Sequence, residues 1–206
     1  MTAEPPASRP QRMAPDQRRT AILRAAGDLF SQHPYADVSV AGIAAAAGVS
    51  PPLIVFHFGT KKSLYLAVLA AAGDAIRAGL ASLPGPPSLD RLRAGVRFYA
   101  GFAHTHRAGF LSLLRGGQES ADAAALVESV RAGITAQILA DLSAAHPALA
   151  AAPVTAVAVR AHLGYVNAAI VHWLALPEPD RARITPAMLA DLAAGAFTGT
   201  LAVIAP

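Results

Sequence analysis

The sequence predicts an all-α protein, and three observations support that class. Alanine is the most frequent residue and runs of β-branched residues are short; alanine favours helices, whereas β-branched residues favour strands. Apolar residues recur at helical spacing, as at Ile22, Ala25, Ala26 and Leu29. Of the 206 residues, 54% are hydrophobic and 15% are charged. The chain can therefore build a substantial core, and disorder is excluded for most of it.

The composition also excludes several classes of protein. The chain has no cysteine, which rules out a disulfide scaffold, a thiolate metal site and a thiol nucleophile. Its first residues lack the apolar segment of a signal peptide. A mean hydropathy of +0.41 invites a membrane interpretation, but a spanning helix needs roughly 18 apolar residues in a row. The longest apolar stretches are interrupted by Arg160, His162, Asn167, His172, Pro177 and Asp191. We therefore expect a soluble, cytoplasmic protein without membrane contact.

An arm and a scaffold helix are predicted at the N-terminus. Residues 1–15 are rich in proline and polar side chains and predict a flexible arm. Asp16 is placed to cap a helix that runs to about Gln32, and Pro34 ends it. The apolar stripe of this helix provides the surface on which the following helices pack, and Arg18 lies on its polar side.

Two short helices joined by a tight turn are predicted next. Ser39 and Ser50 stand at their N-cap positions, and Gly48 lies where the chain must take a left-handed turn. The spacing of Ala44, Gly48 and Ile54 is the steric pattern of a helix-turn-helix: a small residue allows a close crossing, a glycine makes the turn, and a branched residue fills the joint. That motif places its second helix in the major groove of DNA.

The outward positions of this second helix carry few hydrogen-bonding groups. His57 can donate to a base or a phosphate, and apolar side chains can contact thymine methyl groups. Much of the recognition then falls to phosphates and DNA shape. Lys61 lies in the first turn of the next helix, where a cation opposes the helix dipole, so we expect an external phosphate as its partner. The predicted DNA-binding residues are Arg18, Ser39, Ser50, Pro51, Pro52, Leu53, Val55, Phe56, His57 and Lys61.

The charge of the chain is placed unevenly. Residues 1–62 hold seven basic and four acidic side chains, whereas residues 63–206 hold ten and nine. A positive balance beside a helix-turn-helix suits a polyanion, although a solvated surface explains so small an excess equally well. The basic N-terminal arm is likewise either a solvated tail or a segment that reaches phosphates or the minor groove.

A long helix over residues 60–83 is predicted to connect two domains. It is apolar on two sides and therefore contacts two bodies. The segment Pro84–Ser88, PGPPS, is the clearest boundary in the chain. The predicted domains are the flexible arm at 1–15, the helix-turn-helix domain at 16–62 and a second domain at 84–206.

The second domain reads as a series of helices. We expect helices over Leu89–Thr105, through Leu114 after a break at 107–109, over Ser120–Ala145, over Pro153–Leu176 and from Pro186 to Ile204, with a turn at Leu176–Asp180. The helix beginning at Pro153 is apolar on all sides, which indicates burial on all sides.

Three segments of the chain resemble the N-terminal domain of the tetracycline-repressor (TetR) family of transcriptional regulators. They are RRTAILRAAGDLF, YADVSVAGIAAAAGVS and FHFGTKKSLYLAVL, and together they cover about residues 18–69. The most specific features are Phe30, the segment Ile43–Ser50 and the segment His57–Lys61. The resemblance implies a homodimeric, all-helical repressor whose second domain binds a small molecule. The chain departs from the family pattern at Val55, where a tyrosine is usual, and at Pro51 and Pro52, where a polar pair is often found; weak or absent DNA binding is the competing interpretation.

No catalytic or metal-binding pattern is found. His104 and His106 are two residues apart on a predicted helix and point to different faces, and His162 and His172 also diverge. HExxH, GxSxG and phosphate-binding glycine motifs are absent from the sequence. We expect neither an enzyme nor a bound cofactor or metal.

We expect the second domain to hold a ligand cavity instead of a catalytic or metal site. Apolar pockets with a few polar groups are the usual binding sites for small molecules. Each aromatic candidate can equally be ordinary core, whereas an amide or imidazole on so apolar a helix needs a partner. For a mostly apolar or aromatic ligand, the predicted contacts are Phe98, Phe102, Phe110, Leu114, His162, Tyr165, Asn167 and Trp173.

The last two long helices are the predicted dimer interface. Gly195 and Gly199 are four residues apart and allow a partner helix to approach closely. The alternative is that both helices belong only to this chain's own core. Two such helices from each chain form a four-helix bundle, which would hold two headpieces ~34 Å apart on a two-fold operator. The predicted interface residues are Leu192, Gly195, Ala196, Gly199 and Val203.

The sequence thus predicts a helix-turn-helix domain joined to a helical ligand-binding and dimerisation domain. The expected function is that of a transcriptional regulator, a repressor that a small, mostly apolar ligand releases from a double-stranded DNA operator. The alternative is a helical ligand-binding protein or an enzyme with a vestigial helix-turn-helix.

Overall fold

The structure is a computed structural model that describes residues 15–107, 110 and 121–204. Within this part of the chain it contains ten α-helices and a 3₁₀ turn at Tyr35–Asp37. The helices are α1 (Pro15–Gln32), α2 (Val40–Ala47), α3 (Pro51–Phe58), α4 (Lys61–Ala81), α5 (Leu89–Thr105), α6 (Ala121–Ala145), α7 (Pro147–Ala151), α8 (Pro153–Ala175), α9 (Glu178–Arg181) and α10 (Pro186–Ile204). The all-α class is confirmed.

Helices α1 to α3 and the first turns of α4 form an N-terminal headpiece with its own core. The residues that fill this core share near-complete burial and come from every one of these helices. They are Ile22, Ala26, Phe30, Val38, Ile43, Ala44, Ile54 and Leu64. Helix α1 begins at Pro15, so Asp16 lies inside its first turn instead of capping it. An acidic residue there still interacts favourably with the helix dipole.

The backbone between α2 and α3 follows the turn chemistry of the sequence. The Ser39 hydroxyl accepts a hydrogen bond from the Gly42 N–H at 3.0 Å, and Gly48 ends α2 with φ 64. Ser50 occupies the N-cap position of α3, but its hydroxyl makes no capping bond. Pro52 has no N–H to offer, and the Leu53 N–H donates to the Ser50 carbonyl at 3.0 Å.

Helix α4 connects the headpiece to the second domain. Thr60 caps it by accepting a hydrogen bond from the Ser63 N–H at 3.0 Å. It packs on α1 and α3 in the headpiece and on α5 and α6 in the second domain. Gly73 is buried against α6, where an added Cβ would lie 2.5 Å from Val130 Cγ2. The connector therefore contacts both bodies, as its two apolar faces predict.

The second domain is built around α5, α8 and α10. Ten buried residues form its main core: Val96, Ala100, Ala103, Val166, Ile170, Trp173, Leu174, Leu189, Ala190 and Ala193. The alanines let α5 and α10 lie close together, and these two helices share an extensive contact. The Trp173 indole N–H donates to the Arg181 carbonyl at 3.2 Å, so this core aromatic has its polar atom satisfied.

Two connections contain short helices that periodicity did not predict. Helices α7 and α9 occupy the predicted closure at Pro147 and the predicted turn after Leu176. Each has a proline in its first two positions, where the missing N–H costs nothing. They span 5 and 4 residues, too few to display a helical period. The predicted break at 107–109 falls partly outside the described residues, and the predicted short helix through Leu114 falls almost wholly outside them.

Three of the described helices are long and apolar enough to cross a membrane by length and composition alone. These are α4, α6 and α8, with mean hydropathies of 1.5, 1.2 and 1.4 over 18 residues, and the bent pair α2–α3 would be a fourth. The sequence argument from interrupting residues understated these segments, because alanine keeps the mean hydropathy high around a single polar residue. Each of the three packs against at least three other helices of the bundle.

The contact between α4 and α6 generates a prediction about stability. Gly73→Ala removes a flexible residue from a helix but forces a methyl group into the stiff Val130 side chain. We expect the free energy of unfolding to fall by about 1–3 kcal/mol, since overpacking exceeds the gain in helix propensity. Chemical denaturation measures it. Gly101→Ala is the matched control, because open space surrounds that position in α5 and alanine there stabilises by roughly 0.5–1 kcal/mol. Equal stabilisation by both substitutions would contradict the packing described.

Candidate nucleic-acid interface

Helix α3 presents most of its surface to solvent. Ile54 is its one buried residue, at 1% exposure, and it lies in the headpiece core. Phe56 is 81% exposed and Val55 is 54% exposed. Pro51 and Pro52 in the first turn are exposed as well. Ile54 and the half-buried Phe58 therefore hold the helix against the headpiece core, and its exposed side chains are available to a partner.

The angle between α2 and α3 is that of a helix-turn-helix. The chain bends by 102° between these two helices, within the range of about 90–120° that the motif adopts. Gly48 supplies the positive φ of the turn, and Ala44 is buried at 1% exposure where the helices cross. Ala44, Gly48 and Ile54 therefore occupy the buried, turn and buried positions that the sequence predicted for them.

Aromatic contacts order the C-terminal end of α3. The half-buried His57 ring lies 5.3 Å from the Phe56 ring and 6.4 Å from the Phe58 ring, centroid to centroid. The Arg19 guanidinium carbon of α1 lies 5.0 Å from the Phe58 centroid, a cation–π contact that fixes α3 against α1. Sequence reasoning did not single out Arg19, whose one signal was its place on the polar side of α1.

The two lysines after α3 are held in different ways. Lys61 Nζ lies 4.3 Å from the centroid of the Tyr35 ring and 3.5 Å from the Ala36 carbonyl oxygen, at the limit of a hydrogen bond. Lys62 Nζ lies 2.5 Å from Asp122 Oδ2 on α6, and this hydrogen bond together with the charge attraction raises the pKa of Lys62. Lys61 therefore lies against the headpiece, whereas Lys62 links α4 to the second domain.

The remaining predicted DNA contacts differ in their accessibility. Ser50 is exposed, whereas Arg18 and Leu53 are half-buried. The Ser39 side chain is exposed but already caps α2. Its hydroxyl can still donate to a phosphate, because the capping bond uses it only as an acceptor.

Two of the predicted ligand contacts lie inside the core of the second domain. Trp173 is 4% exposed, and the ring of His104 stacks on it at 5.3 Å. His162 is 8% exposed and lies 4.8 Å from the Phe197 ring of α10 and 6.1 Å from the Tyr165 ring. Burial lowers the pKa of His162 below its ordinary 6.5, and its Nε2 has no hydrogen-bond partner. The imidazole therefore behaves as a neutral core group.

The other predicted ligand contacts are divided between two places. Phe98 and Phe102 are 6.5 Å apart on α5, and Phe98 packs against Gly79 of α4. Phe110 lies 5.9 Å from Tyr99, whose hydroxyl donates to Asn167 Oδ1 at 3.0 Å. Leu114 lies outside the described residues. Among the seven described residues of this set, these contacts form separate groups.

Asn167 lines a cleft between α6 and α8. The cleft has a volume of about 330 Å³, at the lower end of the range for small-molecule pockets. Its walls are Glu128, Arg131 and Thr135 from α6 and Arg160, Leu163, Gly164 and Asn167 from α8. Of these, only Asn167 was predicted from the sequence as a ligand contact; the three residues of α6 are polar and carry no hydrophobic period that would mark them.

Several apolar residues of α8 and α10 are exposed. Leu192 is 56% exposed, and the predicted Gly195, Ala196 and Gly199 are exposed on the same helix. The side chain of Val203 is outside those that the structure describes. Sequence reasoning left out other large exposed side chains on these helices, namely Val154 at 47%, Val157 at 67% and Met188 at 53%.

Among the described residues, histidine, aspartate and glutamate side chains form no group of three that could hold a metal ion. The candidate interface consists of the outward apolar helix α3 and the cations near it, and a separate helical domain follows. These features define a helix-turn-helix DNA-binding protein with an all-helical second domain.

The chain belongs to the TetR family of DNA-binding transcriptional regulators. Residues 22–68 match the family described as "Bacterial regulatory proteins, tetR family", and residues 89–195 match the one described as "Tetracyclin repressor-like, C-terminal domain". The resemblance in the N-terminal third is thus confirmed and extends through the second domain. The family is not enzymatic, in agreement with the expectation from the sequence.

Individual relatives support this assignment. The HTH-type transcriptional activator FasR of Mycolicibacterium smegmatis is 35% identical over 104 residues, or 50% of this chain and 48% of FasR. The HTH-type transcriptional regulator EthR of Mycobacterium tuberculosis is 32% identical over 108 residues, 50% of each chain. The chain thus spans about half the length of the curated relatives it matches.

Solved structures extend the likeness to the whole fold. A TetR-family transcriptional regulator from Streptomyces coelicolor has a TM-score of 0.81 and 33% identity, and the match covers 94% of this chain and 84% of that one. A TetR-like regulator from Rhodococcus sp. RHA1 has a TM-score of 0.68 at 23% identity, covering 93% of this chain and 99% of that one. The second likeness shows the fold alone.

Proposed function

We propose that this chain is a cytoplasmic, homodimeric repressor that binds a two-fold DNA operator through α3. We further propose that a small, mostly apolar ligand of the second domain releases it from that operator. The observation that carries the proposal is the 81% exposure of Phe56 on a helix whose neighbours are well packed. A contiguous exposed apolar surface marks an interaction site, and family membership points to DNA as its partner.

The chemistry of α3 suits the major groove in a specific way. Phe56 and Val55 offer no hydrogen-bonding group, so they can distinguish bases chiefly by contact with the thymine methyl group. Orientation then depends on phosphate contacts from Arg18, Lys61 and the hydroxyls of Ser39 and Ser50. Such an interface gains its affinity from charge and a part of its specificity from methyl groups.

The exposed face of α8 and α10 supports the dimer. A two-fold interface uses the same patch on both subunits, and two long helices from each chain pack as a four-helix bundle. Large side chains such as Val157, Met188 and Leu192 would cover one another there, and Gly195 and Gly199 would allow close approach. A stable interface of this kind buries about 1,200–2,000 Å² in total.

Ligand release is proposed to act through α4. This helix begins one residue after the turn that ends α3, and it is packed against α6 at Gly73 and joined to it by the Lys62–Asp122 ion pair. A displacement of α6 would therefore tilt α4 and change the separation of the two α3 helices in the dimer. The ligand can do so only if it binds the released state more tightly.

A gel mobility-shift assay with the DNA that flanks its own gene tests the proposal. Binding should fall steeply with salt, because each neutralised phosphate contributes about −0.9 to the slope of log affinity against log salt. Absence of any retarded complex at low salt would favour the alternative of a vestigial helix-turn-helix.

A transcriptional activator is the second candidate function, because one relative, FasR, is described as an activator. A reporter gene behind the bound promoter separates the two. Deletion of the regulator raises expression if it represses and lowers expression if it activates.

The cation beside the headpiece gives one prediction. Lys61→Ala should weaken binding to all DNA sequences by a similar factor and reduce the salt slope by about 1, because it removes one phosphate contact. Fluorescence anisotropy at several salt concentrations measures both effects. Arg183→Ala is the control, since that exposed arginine lies in the second domain. Unchanged binding by the Lys61 variant would refute the phosphate assignment.

The exposed Phe56 ring of α3 gives a second prediction. Replacing thymine by uracil in the operator removes only the methyl group. We expect this replacement to weaken binding of the wild-type protein several-fold at one or two positions. The Phe56→Ala variant should bind thymine and uracil operators equally there, because its methyl contact is already lost. Leu53→Ala should instead alter the preferred sequence at another position. A Phe56 variant as sensitive to uracil as the wild type would rule out methyl recognition by this ring.

The dimer face gives a third. Leu192→Glu places two like charges in the proposed two-fold interface, so we expect a monomer by light scattering and a large loss of operator affinity. The matched control is Ala140→Glu, which adds the same charge to an exposed position of α6. A dimeric Leu192→Glu protein would exclude this face as the interface.

A further inference from the structure

The cleft between α6 and α8 presents hydrogen-bond donors that no described side chain satisfies. The seven residues that line it follow one face of each helix, at 128, 131 and 135 on α6 and at 160, 163, 164 and 167 on α8. Residues three and four apart lie on the same side of a helix. Both helices therefore direct a continuous surface at the space between them.

A part-buried hydrogen bond orients the Asn167 side chain at the cleft. Tyr99 of α5 donates its hydroxyl to Asn167 Oδ1 at 3.0 Å. Burial raises the pKa of Tyr99 to about 12, so the hydroxyl stays protonated and remains a donor. The Asn167 carbonyl oxygen is thus occupied, and its amide nitrogen carries two N–H donors without a described acceptor.

The charges on the walls leave one arginine unpaired. Glu128 and Arg160 form an ion pair with each other across the rim. Arg131 lies on the α6 wall, and among the described residues it has no carboxylate within salt-bridge distance. Its positive charge opposes the effect of burial on the pKa of the Tyr99 hydroxyl, and its side chain is exposed at the cleft wall. The cleft therefore holds a net single positive charge.

The rest of the cleft is small and partly apolar. Leu163 contributes an apolar wall, and a Cβ added at Gly164 would meet no atom within 4 Å. A volume of about 330 Å³ admits a small molecule only. A ligand for this space needs a monovalent anionic group for the donors and a short apolar body for the Leu163 side.

We propose that the α6–α8 cleft binds a small monocarboxylic acid, whose carboxylate is held by the Arg131 guanidinium and the Asn167 amide. Carboxylates match the planar donor pair of a guanidinium, and one negative charge balances the one unpaired positive charge. This inference rests on the proposed function, since it identifies the effector site and the polar end of an otherwise apolar effector.

The position of the cleft connects it to the headpiece. The face of α6 opposite the cleft packs on α4, with Val130 against Gly73 and Gly133 against Arg77. The Gly73 contact has no slack, because even a methyl group there would overlap Val130. An acid that separates α6 from α8 would thus displace α4, and α4 carries α3 at its N-terminal end.

Calorimetric titration of the full chain with straight-chain carboxylic acids of two to eight carbons tests the site. The primary amides of the same lengths provide neutral controls, and the alkyl phosphates provide dianionic ones. We expect saturable binding of at least one carboxylic acid and at least tenfold weaker binding of its amide and its phosphate analogue. Arg131→Gln should weaken binding of the acid at least tenfold, because a charged hydrogen bond is lost.

A conservative variant separates ligand contact from structural damage. Asn167→Asp keeps the oxygen that accepts from Tyr99 but replaces the N–H donors with a negative charge, so it should abolish binding of the acid. Arg183→Gln is the matched arginine control and should bind the acid as the wild type does. Absence of binding by the whole series, preference for the amides or phosphates, or full binding by both cleft variants would each overturn the proposal.

The same samples distinguish this proposal from the proposed function. If the acid binds the cleft and the operator complex persists, the carboxylate site stands and ligand release is wrong. If the operator complex forms in the wild type and no acid binds, the DNA-binding function stands and the cleft assignment is wrong.

Discussion

The packing of α4 against both the headpiece core and two helices of the second domain, α5 and α6, is the constraint on which the rest of this structure depends. Leu64 at its start is fully buried in the headpiece core, and Gly73 in its second half is buried against Val130 of α6. A helix is stiff over this length, so the two domains cannot move independently while both sets of contacts hold. The buried surfaces make α4 a shared structural element and not a flexible linker. Any rearrangement of α6 therefore has to be accommodated at the headpiece.

Few contacts hold α3 on the headpiece, and this leaves much of the helix exposed. Ile54 alone anchors the middle of the helix, and Arg19 fixes its end through the Phe58 ring. Burying more of α3 would stabilise the headpiece, since about 25 cal/mol is gained per Å² of apolar surface removed from water. The chain instead leaves Phe56 in solvent. A stability cost of this kind is characteristic of an interaction surface, and it is consistent with the small number of hydrogen-bonding groups on the same helix.

How far the sequence could predict this structure depended on the range of the interaction concerned. Gly48, Pro51 and Ser39 act through their own backbone and neighbours, so the helix-turn-helix and its bounds follow from local chemistry. The Lys62–Asp122 pair and the Tyr99–Asn167 bond join residues 60 and 68 positions apart, and no local pattern indicates them. The predicted ligand residues show the same limit. Their aromatic character was evident, but Trp173 and His162 belong to the core, while the α6 wall of the cleft is polar and carries no hydrophobic period.

The two faces of α6 differ in a way that gives the fold a preferred direction of movement. On the α4 side, glycines at 73 and 133 bring the helices into direct contact, so closely packed atoms transmit any push. On the α8 side the helices are also in contact, but a cleft of about 330 Å³ lies between parts of their facing surfaces. Filled space resists compression, whereas a cleft can widen or close with little cost in packing. Displacements that begin at the cleft are therefore passed toward α4, because the open side is where α6 has room to change its position.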